Sequence, residues 1–492
     1  MACDILITAL PVSALNYAPA APALLKACVE EAGFTAHTLD LSQSFLMEQS
    51  NSSFDQYDRD SSCLQPNVTV TDLTKINLWL DSSIEKIRKI NPKYIGLSIF
   101  SYFMHRSAFL LAERLRDDLP NIKIILGGFG ATQPASSLDN LRDFKKSELI
   151  KPFNKFMSDR NLSDYNIIGE GEDKLVSLLL QEERKMIQGD DKLYKVPMSD
   201  FTDYDLENYN YISDVVLPIT GSKGCVRQCT FCDIPNKFGR FRYRSGKDIA
   251  EEIMLFKDKY GISNFSFTDS LINGSLSALE ELVIELADYN NKNPNNRITW
   301  TGQYISRPMN QTPERIYDLM AQSGATGLTI GLESGSNDVL EAMNKKVKIE
   351  DVDWEMEKFE KYGISTVLLL IIGFYNETYE NFLETIDTIV RYQKYVASGT
   401  IIRIDLGHPL LIHSETALFD NAHQLGIKLD DVNPYMWTAE NNPGLTFKER
   451  VRRRLIAQIA CDELGIPTGM TAYNLKSILD TVNEQTREHD HI

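Results

Sequence analysis

Three of the seven cysteines of this 492-residue chain fall close together, at Cys225, Cys229 and Cys232, in the run Gly221-Ser-Lys-Gly-Cys-Val-Arg-Gln-Cys-Thr-Phe-Cys-Asp. At a Cys-x3-Cys-x2-Cys spacing the thiolates can converge on one loop, and soft sulfur donors suit iron–sulfur clusters or zinc. The number of donors separates the two. A structural zinc site closes with four ligands, and His105 and His408 are the nearest further candidates, both far off in sequence. A four-iron cluster held by three cysteines leaves one iron open to another ligand. The plain alternative is an ordinary zinc or disulfide loop.

This spacing, with Phe231 immediately before the third cysteine, resembles the signature of the radical S-adenosylmethionine (SAM) enzymes. The resemblance implies that Cys225, Cys229 and Cys232 hold a [4Fe-4S] cluster whose open iron chelates SAM through its amino and carboxylate groups, with Phe231 beside it. It further implies reductive cleavage of SAM to methionine and a 5′-deoxyadenosyl radical that abstracts hydrogen from a substrate. A low-potential electron donor such as flavodoxin or ferredoxin would then be a partner.

The elements that must position this loop alternate between strand and helix. Over 3–182, strands are predicted at 3–10, 35–39, 94–100, 123–127 and 165–168, with helices at 20–32, 73–87 and 104–119. Residues 42–72, rich in Ser, Asn, Asp and Gln, read as a surface excursion. Such alternation implies an α/β fold with a doubly wound parallel sheet, whose ligands bind beyond the strand carboxyl ends. Leu10, Ser98, Gly127, Gly128, Gly169 and Glu170 lie there.

The order strand, Leu-Gly-Gly-Phe-Gly-Ala-Thr, short strand, Ile-Gly-Glu-Gly-Glu resembles the cobalamin-binding domain of cobalamin-dependent radical SAM enzymes. That resemblance implies a Rossmann-like domain over 1–182 and makes those six residues cobalamin contacts. One departure is the missing Asp-x-His-x-x-Gly, since His37 and His105 stand in other contexts. Many members of this branch also lack that histidine and hold the corrinoid with its base displaced. A domain that has lost the cofactor is the alternative.

Residues 183–212, charged and poor in apolar anchors, read as a linker. Strands are then predicted at 215–220, 263–268, 297–302, 326–332, 366–372 and 400–406. Six βα units over 213–407 suit the partial TIM barrel of the radical SAM fold, with the cysteine loop after the first strand. By family resemblance residues 408–492 would form a mixed C-terminal cap facing substrate, with Tyr435, Trp437 and the arginine run over 448–454 contributing.

By resemblance, Glu333 and Ser334 after the fourth strand contact SAM, and the fifth strand, with Ile372 and Gly373, flanks its adenine. In the Gly373–Glu377 stretch Tyr375-Asn376 replaces a usual Pro-Gly pair. After the third strand, Gln303 and Arg307 offer an amide and a guanidinium, the latter suited to a carboxylate. Structural alternatives are a helix cap near Asn337 for Glu333, a bridge to an acidic helix residue for Arg307, and an Asx-turn for Asp269. No catalytic role is assigned to any side chain, His408 and His413 included.

The net charge of −18 opposes non-specific binding to phosphate backbones, so a nucleic-acid substrate is disfavoured. A basic run over 448–454 reads as a solvated helix face. Cys3, Cys28, Cys63 and Cys461 are scattered, and the start of the chain lacks a basic leader, which points to the cytoplasm. The expected activity is cobalamin-dependent methylation of an unactivated carbon in a small molecule or peptide. The alternatives are a radical rearrangement without methyl transfer and a non-catalytic cluster or corrinoid sensor.

Overall fold

The structure, a computed structural model, describes residues 3–12, 15–66, 68–69, 72–181, 195–210, 214–430 and 435–469. They divide into two units, residues 3–181 with 195–219, and residues 220–469. In the first, the parallel strands β1 (Cys3–Ala9), β2 (Ala36–Asp40), β3 (Pro92–Ser98), β4 (Lys123–Gly127) and β5 (Tyr165–Ile167) take the order β2-β1-β3-β4-β5. This is a doubly wound order whose direction of growth reverses between β1 and β3.

Apolar runs such as Ile5-Leu6-Ile7 and Ile124-Ile125-Leu126 bury both faces of this sheet. On one face, the helices Ala20–Glu31 and Glu172–Leu180 contribute Leu24, Val29, Leu175 and Val176 to the core. On the other, Thr74–Ile90 and His105–Asp118 contribute Trp79, Ile84, Ile87, Phe109 and Leu111. Register then aligns Ala9, Ser98, Gly127 and Ile167 in one row at the carboxyl edge.

Two sequence expectations need correction. Residues 42–72 are no surface excursion over their described part. They carry the helices Leu41–Gln49 and Phe54–Asp60, and Phe45, Leu46, Tyr57, Cys63 and Leu64 are buried in the core. Few apolar residues suffice because they share one face, and Asp40 caps the first helix through the Ser42 and Gln43 N–H groups. Residues 195–210, expected within a linker, are fastened to the first unit. Lys26 Nζ lies 2.7 Å from Asp203 and 3.4 Å from Asp200, and the Tyr209 hydroxyl donates to Asp40 at 2.9 Å. The remainder of that stretch lies mostly outside the described residues.

Strand β6 (Val216–Ile219) leads directly into the cysteine loop, and an antiparallel pair, β7 (Ser222–Lys223) before the cysteines with β8 (Arg242–Tyr243) after them, brackets it. In the second unit β9 (Asn264–Phe267) pairs in parallel with β10 (Thr299–Thr301). A parallel sheet follows in the order β11 (Gln303–Tyr304), β12 (Leu328–Glu333), β13 (Thr366–Leu370) and β14 (Ile401–Asp405). Amphipathic helices such as Gly246–Tyr260, Leu276–Lys292 and Ile349–Tyr362 alternate with these strands. Among the described residues no helix is long and apolar enough to cross a membrane.

Candidate functional site

The cysteine loop is held from several sides within the second unit. The Thr230 N–H donates to the Met343 carbonyl at 3.0 Å, and Asn344 donates to the Gln228 carbonyl at 2.7 Å. From the other direction the Leu418 N–H donates to the Thr230 carbonyl at 2.7 Å. At the loop's start, buried Asp269 accepts from the Gly221 N–H at 2.8 Å, which gives this carboxylate a fastening role across the loop in place of an Asx-turn. Burial pushes its carboxyl up to about 7. Phe231 is half-buried and packs edge-on against Phe374.

All three thiols are free of disulfides, with Cys229 buried and Cys225 and Cys232 half-buried. Burial raises the Cys229 and Cys232 thiols, the latter to about 11. Among the described residues no three His, Cys, Asp or Glu side chains converge as a single metal ion requires. A cluster several atoms across spaces its thiolates more widely than one ion does. Three free cysteines on one clamped loop, with Cys225 near enough to influence both Cys229 and Cys232, therefore suit a multi-iron cluster as a donor set.

Glu333 closes β12 with a backbone φ of 67°, in the left-handed region that a residue with a Cβ occupies only when its surroundings enforce it. The surroundings do so here. The register with β13 shifts at this point, and the Ile371 N–H donates to the Glu333 carbonyl at 2.9 Å. The carboxylate does not cap a helix. It accepts from Lys345 Nζ at 2.8 Å, and both side chains are buried. Burial alone would lower the Lys345 ammonium, yet the adjacent carboxylate and the thiols of Cys229 and Cys225 outweigh it and hold it raised. Gly331 makes room for the pair, since a Cβ there would come within 2.2 Å of Glu333 and 2.8 Å of Lys345.

Ser334 is buried and supports the same turn, its Oγ accepting from the Ser336 N–H at 3.1 Å and lying 3.2 Å from Thr385 Oγ1. Ile372 is buried behind the turn that follows β13. Gly373 has φ 83°, and its N–H donates to Glu377 at 3.1 Å. The buried Glu377 carboxylate in turn lies 2.9 Å from Arg453, so an ion pair fixes this loop where Tyr375-Asn376 replaces Pro-Gly.

Among the described residues no ion pair joins Arg307 to an acidic helix residue, although Glu355 feels its charge. Arg307 donates to the Asn273 carbonyl and, at 3.4 Å, to that of Gly274, while its Nε is buried without a hydrogen-bond partner. Arg227, inside the cysteine loop, feels the charge of Arg307 and donates to the Ser306 carbonyl at 3.4 Å. Beside them the hydroxyls of Tyr304 and Tyr317 donate to Glu355 Oε1 at 2.9 and 2.8 Å, and burial pushes that carboxyl up to about 7. Gln303 stands apart, with an exposed side chain. The structure thus brings the three cysteines, Glu333, Ser334, Ile372 and Gly373 to adjoining segments. Glu377 closes the Gly373–Glu377 stretch that the family resemblance marks, whereas Lys345 and Arg453 carry no motif signal and their only sequence mark is charge.

The basic run over 448–454 departs from the solvated face expected of it. Within the helix Phe447–Glu463, Arg450, Arg453 and Arg454 are buried, and Arg452 is exposed. Arg450 stacks 3.6 Å over the Trp437 ring and donates to the carbonyls of Leu410, Tyr435 and Trp437, while its aliphatic stem fills the space a Cβ on Gly373 would need. Trp437 is itself buried.

In the first unit the six expected corrinoid contacts gather at the carboxyl edge. Leu10 and Ser98 flank the crevice between β1 and β3, and Gly127 lies beside Ser98 in register. A Cβ on Gly128 would sit 2.3 Å from the Ile99 carbonyl oxygen, and one on Gly130 would sit 2.7 Å from the Ser101 backbone. His105 is missing from the sequence-derived set and pins this loop from beneath. Its ring nitrogens lie 2.7 Å from the Gly130 carbonyl and from Ser137 Oγ, and its ring stacks on Phe153. A carbonyl only accepts, so Nε2 carries the proton in the neutral ring; burial holds its pKa down at about 4. Phe100, Tyr102, Phe103 and Ile168 are exposed along the same edge. Gly169 is exposed and Glu170 half-buried.

The sequence profile of the Radical SAM superfamily matches residues 219–389, the stretch that holds the cysteine loop, Glu333 and Gly373. Residues 219–389 are a radical SAM domain. The chain is 28% identical to cytidylyl-2-hydroxyethylphosphonate methyltransferase of Streptomyces wedmorensis over 37% of its own length and 35% of that protein. It is 28% identical to bacteriochlorophyllide d C-12(1)-methyltransferase of Chlorobaculum tepidum over 36% of its length and 38% of the relative. These matches thus span little more than a third of either relative. A longer match, at 22% identity, covers 66% of this chain and 67% of an uncharacterized methyltransferase of Pyrococcus horikoshii.

Among solved structures, the radical SAM methyltransferase TsrM from Kitasatospora setae, with tryptophan substrate and a SAM analogue bound, superposes with a TM-score of 0.65 at 16% identity. The superposition covers 92% of this chain and 89% of TsrM. The cobalamin-dependent SAM radical enzyme OxsB, with aqua-cobalamin and SAM bound, gives a TM-score of 0.58 at 14% identity, covering 99% of this chain and 62% of OxsB. The shared fold is an α/β chain with a Rossmann-like parallel sheet followed by a radical SAM domain of parallel sheets.

Proposed function

We propose that this radical SAM enzyme is a cobalamin-dependent methyltransferase acting on an unactivated carbon of a small molecule or peptide, with electrons from a low-potential flavodoxin or ferredoxin. The observation that carries the corrinoid part is the carboxyl edge of the first sheet. There the backbone of Gly128 leaves no room for a side chain, and Phe100, 71% exposed, and Ile168, 56% exposed, offer apolar surface at a doubly wound sheet's binding edge.

When bound, a four-iron cluster with SAM supplies a carbon radical, and a corrinoid supplies a transferable methyl group, which no side chain can provide. The protein's part is to hold and orient. Cys225, Cys229 and Cys232 would ligate the cluster, and the Lys345–Glu333 pair sets a fixed charge pattern beside it. Glu333, Ser334, Ile372 and Gly373 would receive SAM on a turn fixed by Glu377 and Arg453. His105 keeps the Gly127–Gly130 backbone in the one shape that leaves the sheet edge open.

The test is anaerobic reconstitution with iron, sulfide and hydroxocobalamin, then gel filtration, iron and corrinoid stoichiometry, and SAM cleavage under dithionite. The expected result is about one corrinoid retained per chain. Replacing all three cysteines by Ala should remove both the iron and SAM cleavage while leaving the corrinoid. Cleavage that persists in the triple variant would sink the enzyme reading. Cleavage in wild type without corrinoid retention would transfer the lead to radical rearrangement.

A further inference from the structure

The helix Phe447–Glu463 buries three guanidinium groups, and their charges are treated differently. Arg453 meets two carboxylates, Glu377 at 2.9 Å and Glu449 at 3.1 Å. Arg450 has no carboxylate, but its terminal nitrogens reach three carbonyls and its plane covers Trp437. Arg454 has neither solution. It is 1% exposed, its Nε donates to the Gly407 carbonyl at 2.6 Å, and both terminal nitrogens are buried with no hydrogen-bond partner.

Among the described residues no carboxylate pairs with this charge. His408 lies close enough to feel it, and its ring, though on an exposed turn, is driven toward the neutral form by partial desolvation and by Arg454 itself. Cys461, on the same helix, is a buried thiol raised to about 11 and carries no negative charge at neutral pH. Asp405, at the end of β14, is engaged by Arg403 at 2.7 Å. A buried cation without a counter-charge is costly, and proteins retain such groups where a ligand completes them.

The geometry indicates what the ligand is. With Nε taken by Gly407, the edge of the guanidinium left free is the one that carries both terminal nitrogens. Two parallel N–H donors in a plane match the two oxygens of a carboxylate. The position matches as well. Gly407 follows β14, and a Cβ on it would lie 3.2 Å from the Leu370 carbonyl oxygen at the end of β13. Arg454 therefore sits under the carboxyl ends of two neighbouring strands, where parallel α/β sheets take their substrates. The turn above it, Gly407-His408, is exposed.

We propose that Arg454 is the receptor for a carboxylate on the organic substrate, so that the substrate class is a carboxylic acid anchored end-on by the Arg454 terminal nitrogens. This rests on the radical SAM reading for the word substrate, but its test needs no turnover. The thermal midpoint of the full-length reconstituted chain is followed while sodium acetate replaces sodium chloride at constant ionic strength. Wild type should show a saturable rise in acetate, and Arg454→Met should show none. Arg454→Lys keeps the charge without the fork and should need roughly tenfold more acetate for half-saturation.

Equal responses to acetate and chloride in wild type would mean that water alone fills the fork, and would overturn the proposal. So would an unchanged acetate response in Arg454→Met. If the Met variant does not fold, an unshifted half-saturation in the Lys variant overturns it equally. Absence of SAM cleavage by wild type would instead defeat the enzyme reading, whatever the acetate titration gives.

Discussion

At the carboxyl edge of the first sheet, bare backbone at Gly128 and the exposed rings of Phe100, Tyr102 and Phe103 face outward. At the corresponding strand ends of the second unit, the chain buries charge and ties it in pairs, Glu333 with Lys345 and Glu377 with Arg453. The two edges share a parallel α/β logic and differ in material. A large, mostly apolar ligand, as proposed for the first edge, needs apolar area and close backbone approach, which exposed rings and bare glycine backbone together would offer. A small charged ligand needs fixed counter-charges already desolvated and aimed, because their reorganisation during binding would cost the interaction its strength.

The largest effect that would break this contrast concerns the buried pair. Glu333→Gln strands the Lys345 ammonium, and Lys345→Met strands the carboxylate, each at an expected cost of about 3–5 kcal/mol in urea unfolding. The double variant should cost far less than the sum, since both charges go together. Strict additivity would show that the pair is not the unit the structure indicates.

Next in size is the glycine backbone of the first unit. At Gly128, φ is 100° and a Cβ would lie 2.3 Å from a carbonyl oxygen, so Gly128→Ala should lose about 3 kcal/mol and, under the proposed function, corrinoid retention with it. Gly33 has a similar φ of 90° with nothing within 4 Å of its Cβ position, so Gly33→Ala should cost only about 1–2 kcal/mol and leave corrinoid retention alone. Equal costs would mean that backbone angle, and not close approach, sets the requirement.

The smallest effect sharpens the comparison through pH. Burial holds His105 at about 4, below its unfolded value, so the folded state binds fewer protons between roughly pH 6.5 and 4. Acidification therefore destabilises the first unit, by about 2 kcal/mol at pH 5 relative to pH 8, and His105→Gln should remove that slope. Asp269 and Glu355, both raised to about 7 by burial, act in the opposite sense. Their folded state holds the proton more tightly, so their contribution falls as pH rises from about 4 to 7 and is flat above. His105→Gln and Asp269→Asn should therefore change the pH dependence of urea unfolding in opposite senses, and changes in the same sense would contradict these assignments.

The strands were legible because each is a short apolar run bounded by Gly, Pro or Asn, and β4 carries the bounds the pattern predicts. The cysteine loop was legible because its chemistry is local. The ion pairs were not, since Glu333 and Lys345 are joined across a helix and Glu377 and Arg453 across the C-terminal segment. Arginines at 450, 453 and 454 look like a solvated stripe until it is known that carbonyls, an aromatic ring and a carboxylate await them. Likewise Phe45, Leu46 and Tyr57 are too sparse in a polar stretch to announce a core.

The clasp between Glu377 and Arg453 has a further consequence in the order of synthesis. The two residues are separated by 76 positions, so at roughly 5–20 residues per second Arg453 is made about 4–15 s after Glu377. During that interval the Gly373 turn has its carboxylate but not its lock, while the three cysteines have already left the ribosome. A nascent chain of this kind offers its thiols to solvent before the surrounding turns can close. Whatever delivers iron and sulfide thus has a time window as well as a binding site, and slowing elongation between these two codons would widen it.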